Sequence, residues 1–448
     1  MTAVALCILA LIACFLAGRR SIAAGVIATS AVGYFYGIVR ANLPVAASHF
    51  IFDAGSVGFL LAVLTRRITP AERFKLGRVM PWLVALFAWP TFMLLVPLQN
   101  PLIELVGWRG QVFFLPYIAV GAMVDGAGAR RIAVGLGVLS LIELGFAIAE
   151  IHLGVPFFFP RNEVTELIYR STDVIVGSTA TYRLPGTFVQ AASFGGQMAM
   201  VVPLLLGAMV QERRGSRTRL LLLAAIGASA VCVFLSASRS TAVLLFVLAL
   251  ATTFSGRARN FPWFGWIALI AVVSMLVVVS PRMRRFVSLE DTQYVKTRIS
   301  HSVNENIFEL AIDYPLGNGL GGGGTSIPYF LQPLLRNPVM IENEYGRLML
   351  EQGVPGLALW LAFIIWTLSR PLATERDPWS LGKWLARVGL GFSLVGAQTG
   401  TGLLTSIPGT ALLLFYAGWI AVPNLVGAAR GARRPDAAAE PAAMSRGA

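Results

Sequence analysis

The stretch Ile132-Ala-Val-Gly-Leu-Gly-Val-Leu-Ser-Leu-Ile-Glu-Leu-Gly-Phe-Ala-Ile-Ala-Glu-Ile151 follows Arg130-Arg131 and carries no charge until Glu143. A helix of about 20 residues is ~30 Å long, the thickness of the hydrocarbon core of a bilayer. The stretch therefore reads as a transmembrane helix. Working outward, comparable apolar runs predict spans at 2–18, 21–39, 44–65, 80–97 and 111–128 before it. Others follow at 186–210, 219–236, 240–255, 262–280, 346–368, 385–404 and 408–426. The implied fold class is all-α: a polytopic integral membrane protein with about 13 transmembrane helices and a long periplasmic loop containing short helices.

Composition agrees. Of 448 residues, 56% are apolar and only 13% charged, with a mean hydropathy of +0.71. Soluble domains carry roughly 25% charge, so this chain has too little polar surface to cover a water-soluble globule. A soluble enzyme, a secreted disulfide scaffold and a disordered protein are excluded. An enzyme whose chemistry sits at a membrane face is not. The first run includes Leu11-Ile-Ala-Cys14, which resembles a lipoprotein cleavage box. No positive charge precedes it and Arg19-Arg20 follow it, so it is read as a retained span.

The formal charge of +14 invites a nucleic-acid reading until the charges are placed. If the tail after Val426 is cytoplasmic, then most Lys and Arg fall on the same side: Arg19-Arg20, the 66–78 cluster, Arg130-Arg131, Arg213 to Arg219, Arg257 to Arg259, the 370–387 stretch and the tail. All of the excess positive charge then lies on one face, as the positive-inside rule requires. No nucleic-acid partner is needed. This orientation leaves two long outer loops, 152–185 and 281–345, within a single transmembrane domain, 1–426. The tail 427–448, rich in Ala, Arg and Pro, is expected to be disordered and cytoplasmic. Cys7, Cys14 and Cys232 lie in apolar runs without a CxxC, and His49, His152 and His301 form no HExxH. Neither a disulfide framework nor a metal site is expected, and no cofactor.

The outer segments carry the unusual residues. The stretch 297–313 reads as an amphipathic helix, with Ile299, Val303, Ile307, Leu310 and Ala311 on one side. Asp313-Tyr-Pro-Leu-Gly-Asn-Gly-Leu-Gly-Gly-Gly-Gly324 follows. It is expected to be a flexible linker, with a backbone nest for an anion as the alternative. No Gly-Lys-Ser/Thr follows it, so it is not a Walker A loop. Glu342 and Asn343 stand at the mouth of a span. A carboxylate held at such a border can act as a base, because desolvation raises its pKa. Arg347 and Glu351 are four apart and can pair. Arg183, in Tyr182-Arg-Leu-Pro-Gly-Thr-Phe188, and Arg239, in Leu235-Ser-Ala-Ser-Arg-Ser-Thr241, both sit at outer ends of spans. Each is either a snorkelling anchor or a functional cation. Arg40 and Arg109 are further outer arginines. His49 and Asp53 are four apart, either a proton relay or an ordinary hydrogen-bonded pair. Glu143, in mid-membrane, is a functional candidate whose partner cannot be named from the sequence.

The order of these motifs resembles the O-antigen ligase / O-antigen polymerase superfamily of bacterial polysaccharide assembly. Arg-x-x-Gly-Thr-Phe opens a span, and Ser-x-Ser-Arg-Ser lies between two spans. A long outer loop then carries Arg298, Asp-Tyr-Pro-Leu-Gly-Asn-Gly and Glu-Asn-Glu-Tyr-x-x-Leu-x-x-Glu-x-Gly-x-Pro-Gly. The specific motifs cover about residues 183–360. Before them, only hydropathy and Arg109-x-Gln-Val-Phe-Phe-Leu-Pro116 are similar.

The resemblance implies a metal-independent glycosyltransferase of the bacterial inner membrane, with its active face periplasmic. Its substrate is a glycan on undecaprenyl diphosphate, and its surroundings are membrane lipids and other polysaccharide-assembly proteins. A diphosphate leaving group with no metal needs guanidinium partners. Arg183, Arg239 and Arg298 are the candidates, with Glu342 as base. Arg109, His301, Asn343, Tyr345, His49 and Asp53 are candidate substrate contacts. In the ligases a histidine commonly precedes the Asn, where this chain has Glu342. That departure moves the reading toward a polymerase of repeat units. A ligase-type transferase and a polysaccharide-related transporter or flippase remain the alternatives.

Overall fold

The computed structural model describes residues 1–170, 175–176, 179–180, 183–255, 293, 307–324, 327–339, 341, 343–371, 377–398, 400 and 402–422. The first half comprises α1 (Thr2–Arg20), α2 (Ile22–Asn42), a 3-10 turn at Ala46–Phe50 leading into α3 (Ile51–Leu64), α4 (Pro70–Met93), α5 (Pro101–Val112), α6 (Pro116–Met123) and α7 (Gly126–Leu153). Two short helices follow, α8 (Val155–Phe158) and α9 (Glu166–Arg170), then an antiparallel ribbon of β1 (Ile175–Val176) and β2 (Thr179–Ala180). Next come α10 (Ala191–Gln211), α11 (Arg217–Leu235), α12 (Arg239–Phe254) and α13 (Ile307–Asp313). A 3-10 turn at Tyr329–Leu334 precedes α14 (Glu344–Leu368), α15 (Ser380–Gly396) and α16 (Gly409–Ala421). Apart from the small ribbon, regular structure among the described residues is helical. Among the described residues eight helices, α3 counted together with the 3-10 turn before it, are long and apolar enough to cross a membrane, and the protein is a multi-pass membrane protein.

Local chemistry sets the helix starts. Ser21 Oγ accepts from Ala24 N at 3.1 Å, and Asp125 Oδ1 from Gly128 N at 2.7 Å. Thr69 and Glu72 close a capping box around Pro70. Each cap satisfies N–H groups that the helix itself leaves without acceptors. α10 is the most enclosed of the long helices, packed against α7, α11, α12, α15 and α16. By contrast Ile8, Leu9, Ile12 and Leu16 of α1 are exposed, as a lipid-facing helix requires. α6 and α16 meet through small residues: a Cβ on Gly418 would fall 1.9 Å from Ile118 O, and one on Gly121 equally close to Phe415 O. Backbones approach this closely only where side chains are missing.

Following the helices up and down sorts the charges. One end of the bundle gathers Arg19 beside Thr65, the Arg66–Glu72 and Arg130–Glu212 pairs, and Lys383 Nζ 3.1 Å from Asp377. The other end carries Arg40, Asp53, Arg109, Arg183, Arg239 and Asn343.

Several expectations change. The span expected at 111–128 is broken into α5 and α6. Pro116 has no N–H and its ring crowds the carbonyl four residues back, so Leu115 and Tyr117 bond three residues back instead, to Val112 O and Phe114 O. The span expected at 385–404 ends at Gly396, and the next helix among the described residues begins at Gly409. Of the amphipathic helix expected at 297–313, α13 covers 307–313. The rest, like the span expected at 262–280 and the tail 427–448, lies outside the described residues. The glycine-rich run is not a flexible linker. Asn318 to Gly323 are buried, and Asn318 N donates to Leu350 O at 2.6 Å. Gln99 Nε2 donates to Asn318 O (2.8 Å) and to Arg336 O (2.9 Å). Glycine is what allows the fit: a Cβ on Gly107 of α5 would lie 2.2 Å from Gly321 N.

Candidate functional site

Leu184-Pro-Gly-Thr-Phe188 is buried at the head of α10. Two carboxylates of α7 hold it. Gly186 N donates to Glu150 Oε2 at 3.0 Å, and Thr187 N to Glu143 Oε2 at 3.2 Å. The Thr187 hydroxyl meets Tyr34 O (2.6 Å) and the Glu143 carboxylate. Ile38 N of α2 donates to Thr187 O at 2.9 Å. Glu143 thus has its partner: the mid-membrane carboxylate grips the turn that carries Arg183. A buried acid is tolerated when donors surround it.

Arg183 in turn reaches the other arginine motif. Its Nε donates to Ser236 O at 3.1 Å. Ser236 Oγ donates to Val233 O (2.7 Å) and accepts from Ser238 N (3.3 Å), shaping the tight turn, and Arg239 is the first residue of α12. The fold therefore brings Arg183 onto the turn that presents Arg239, although 53 residues separate Arg183 from Ser236. Arg298, His301 and Glu342 lie outside the described residues.

The start of α14 supplies a second cluster. Asn343 caps the helix, its Oδ1 accepting from Gly346 N. Glu344, Arg347 and Glu351 are at most 1% exposed. Arg347 Nε donates to Glu344 Oε1 (3.1 Å), and its Nη1 to Glu351 Oε2 (2.8 Å). Gln111 Nε2 of α5 also donates to Glu351 Oε2. Tyr345 Oη donates to Leu394 O at 2.8 Å. Glu344 reaches across to the irregular segment after α15: its Oε2 accepts from Gly402 N (2.7 Å), and its own N–H donates to Ala397 O (2.8 Å). Ser406 Oγ of that segment lies 3.1 Å from Ser193 Oγ in the first turn of α10. The Asn343 end and the Arg183 end are thus linked through residues 397–408.

The third group is at the end of α2. Asp53 turns not to His49 but to Arg109, whose Nε donates to Asp53 Oδ2 at 2.8 Å while Nη2 grips the same carboxylate. His49 packs edge-on against Phe330, with centroids 5.7 Å apart, and its carbonyl accepts from Tyr36 Oη at 3.1 Å.

Sequence reasoning missed Glu344, Gln111, Glu150 and the 397–408 segment. Glu344 had a readable signal, since it lies three residues before Arg347 on the face shared with Glu351. Gln111, Glu150 and Gly402 had none, because their partners are distant in the chain.

No curated protein matches this chain. Residues 222–361 match the family model described as O-antigen ligase. That stretch holds the Ser236–Arg239 turn, the packed glycine-rich run and the Glu344–Arg347–Glu351 cluster. Over residues 222–361 the chain carries a domain of the O-antigen ligase / O-antigen polymerase superfamily, a group of glycosyltransferase-like membrane enzymes.

Proposed function

We propose that this protein is an outer-leaflet glycosyltransferase that polymerises repeat units carried on undecaprenyl diphosphate. The observation that carries this reading is the seating of Arg183 on the turn that presents Arg239, joined through 397–408 to the mouth of α14. In the reaction, an acceptor hydroxyl oxygen attacks the anomeric carbon of the donor sugar. The bond from that carbon to the diphosphate oxygen breaks, and the carrier diphosphate leaves with the electron pair. The hydroxyl proton passes to a base, for which Glu342 is the candidate. Arg183, Arg239 and Arg298 face the charge that grows on the leaving oxygen. Fixed donors at such a point are worth the most when they need not reorganise. Asn343 and Tyr345 border the same mouth.

The second reading is a ligase-type transfer of finished glycan to another acceptor, favoured by the description of the matching family. A deletion strain separates the two. Loss of the glycan ladder with one repeat unit still attached supports polymerase. A complete ladder stranded on carrier lipid supports ligase. Unchanged polymer removes both.

A further inference from the structure

The group at the end of α2 holds more cation than its partners use. Arg109 gives Nε and Nη2 to Asp53, and its Nη1 bonds to no described residue. Asp53 therefore aims the guanidinium fork while leaving one edge of it available. Arg40 makes no ion pair among the described residues, and its Nε is buried with no hydrogen-bond partner. Its guanidinium lies over Tyr36, 5.9 Å from the ring centroid, and the Tyr36 hydroxyl is bonded to the His49 carbonyl. Both arginines are within electrostatic reach of His49.

The bland account of Arg40 is a cation placed at a helix C-terminus. That account leaves a buried N–H without an acceptor, which is costly, and it leaves Arg40 without a carboxylate partner among the described residues. An incoming oxyanion would satisfy the Arg40 Nε and the outer edge of Arg109 together. The place is separate from the Arg183–Arg239 turn but adjoins it, since Ile38, two residues before Arg40, bonds to Thr187 O.

We propose that Arg40 and Arg109 form a second anion-binding position, which takes the phosphate group of a second lipid-linked substrate. This rests on the polymerase reading, in which two carrier-linked glycans must be present at once. The diphosphate of the donor is expelled, whereas that of the acceptor stays intact through the step. A position with one aimed guanidinium and one that has no carboxylate partner among the described residues suits a phosphate that is held without reacting. Asp53 and Tyr36 are positioning residues here, since they act through the arginines.

The test uses full-length protein in phosphatidylcholine nanodiscs, with geranylgeranyl diphosphate as probe and native mass spectrometry as readout. Wild type is expected to bind two probe molecules, and Arg40→Gln and Arg239→Gln one each. Arg40→Lys is expected to keep the second with at least tenfold weaker binding, because a point charge replaces a fork. Two molecules on Arg40→Gln, or only one on wild type, would overturn the proposal. Inorganic pyrophosphate competing as well as the prenyl probe would assign the position to free phosphate and overturn the lipid-linked assignment. Displacement by phosphatidylglycerol at equal concentration would assign it to bulk lipid, with the same consequence. Stoichiometry is read without any glycan, so an unchanged ladder in the deletion strain would sink the polymerase reading alone.

Discussion

Glu342 and Glu344 are two residues apart, and from the sequence Glu344 reads as the mild control for Glu342, the candidate base. The structure shows that Glu344 is no mild control. Glu344 is buried, bonded to Arg347 and to the Gly402 N–H, so it cannot be altered quietly. Glu344→Gln should destabilise the protein by about 2 kcal/mol, since bonds to a charged acceptor are lost; thermal unfolding in detergent measures this. Glu342→Gln should leave the melting temperature alone and remove polymer. Equal melting and mild loss in both would return Glu342 to an ordinary helix-mouth residue. Arg239→Ala and Arg298→Ala should each reduce transfer ~100-fold, as expected when one fixed donor to a developing anion is lost. Normal long-chain glycan at unchanged protein level from both would remove the diphosphate role. Thr187→Val tests the α7 grip. It leaves the Glu143 carboxylate short of one hydroxyl, at a cost of about 1–3 kcal/mol, read as a lower melting temperature.

At the scale of elements, the glycine-rich run and α14 act as one piece. Gly353 has φ +69°, and a Cβ there would lie 2.6 Å from Leu316 C and Pro315 O. Val354 N donates to Pro315 O at 3.0 Å across the same contact. Gly353→Ala therefore combines left-handed backbone strain with a backbone clash. We expect about 1–3 kcal/mol of destabilisation and faster proteolysis within 313–324. Unchanged proteolysis would mean that the run is held by Gln99 and α5 alone. The α6–α16 crossing is a second such contact, and Gly418→Val should lower accumulation in the membrane, because Ile118 O has nowhere to move.

For the whole molecule, the charge sorting predicts sidedness. Alkaline phosphatase fused after residue 160 or 330 should be active. Green fluorescent protein fused after residue 215 or 426 should fluoresce. The reverse pattern would place Arg183 and Asn343 in the cytoplasm, away from any periplasmic glycan. Within this frame, the described backbone of 397–408 is irregular and packs on the heads of α14 and α10. It persists because its polar groups find partners in α14 and α10, which is the condition for non-helical chain at membrane depth.

Hydropathy and charge order alone determined that the chain is helical, multi-pass and basic at one end, because a bilayer leaves the backbone no other way to satisfy its hydrogen bonds. The run from 132 to 151 was legible as a helix for that reason, and so was the local Arg347–Glu351 pair. Tertiary structure alone decided what Glu143 holds, that Asp53 turns to Arg109, and that glycines 317–324 form a packed wedge. It also decided where the spans near Pro116 and Gly396 break. Each depends on contacts between segments far apart in the chain, and periodicity along one helix carries no information about the neighbour that will complete a buried polar group.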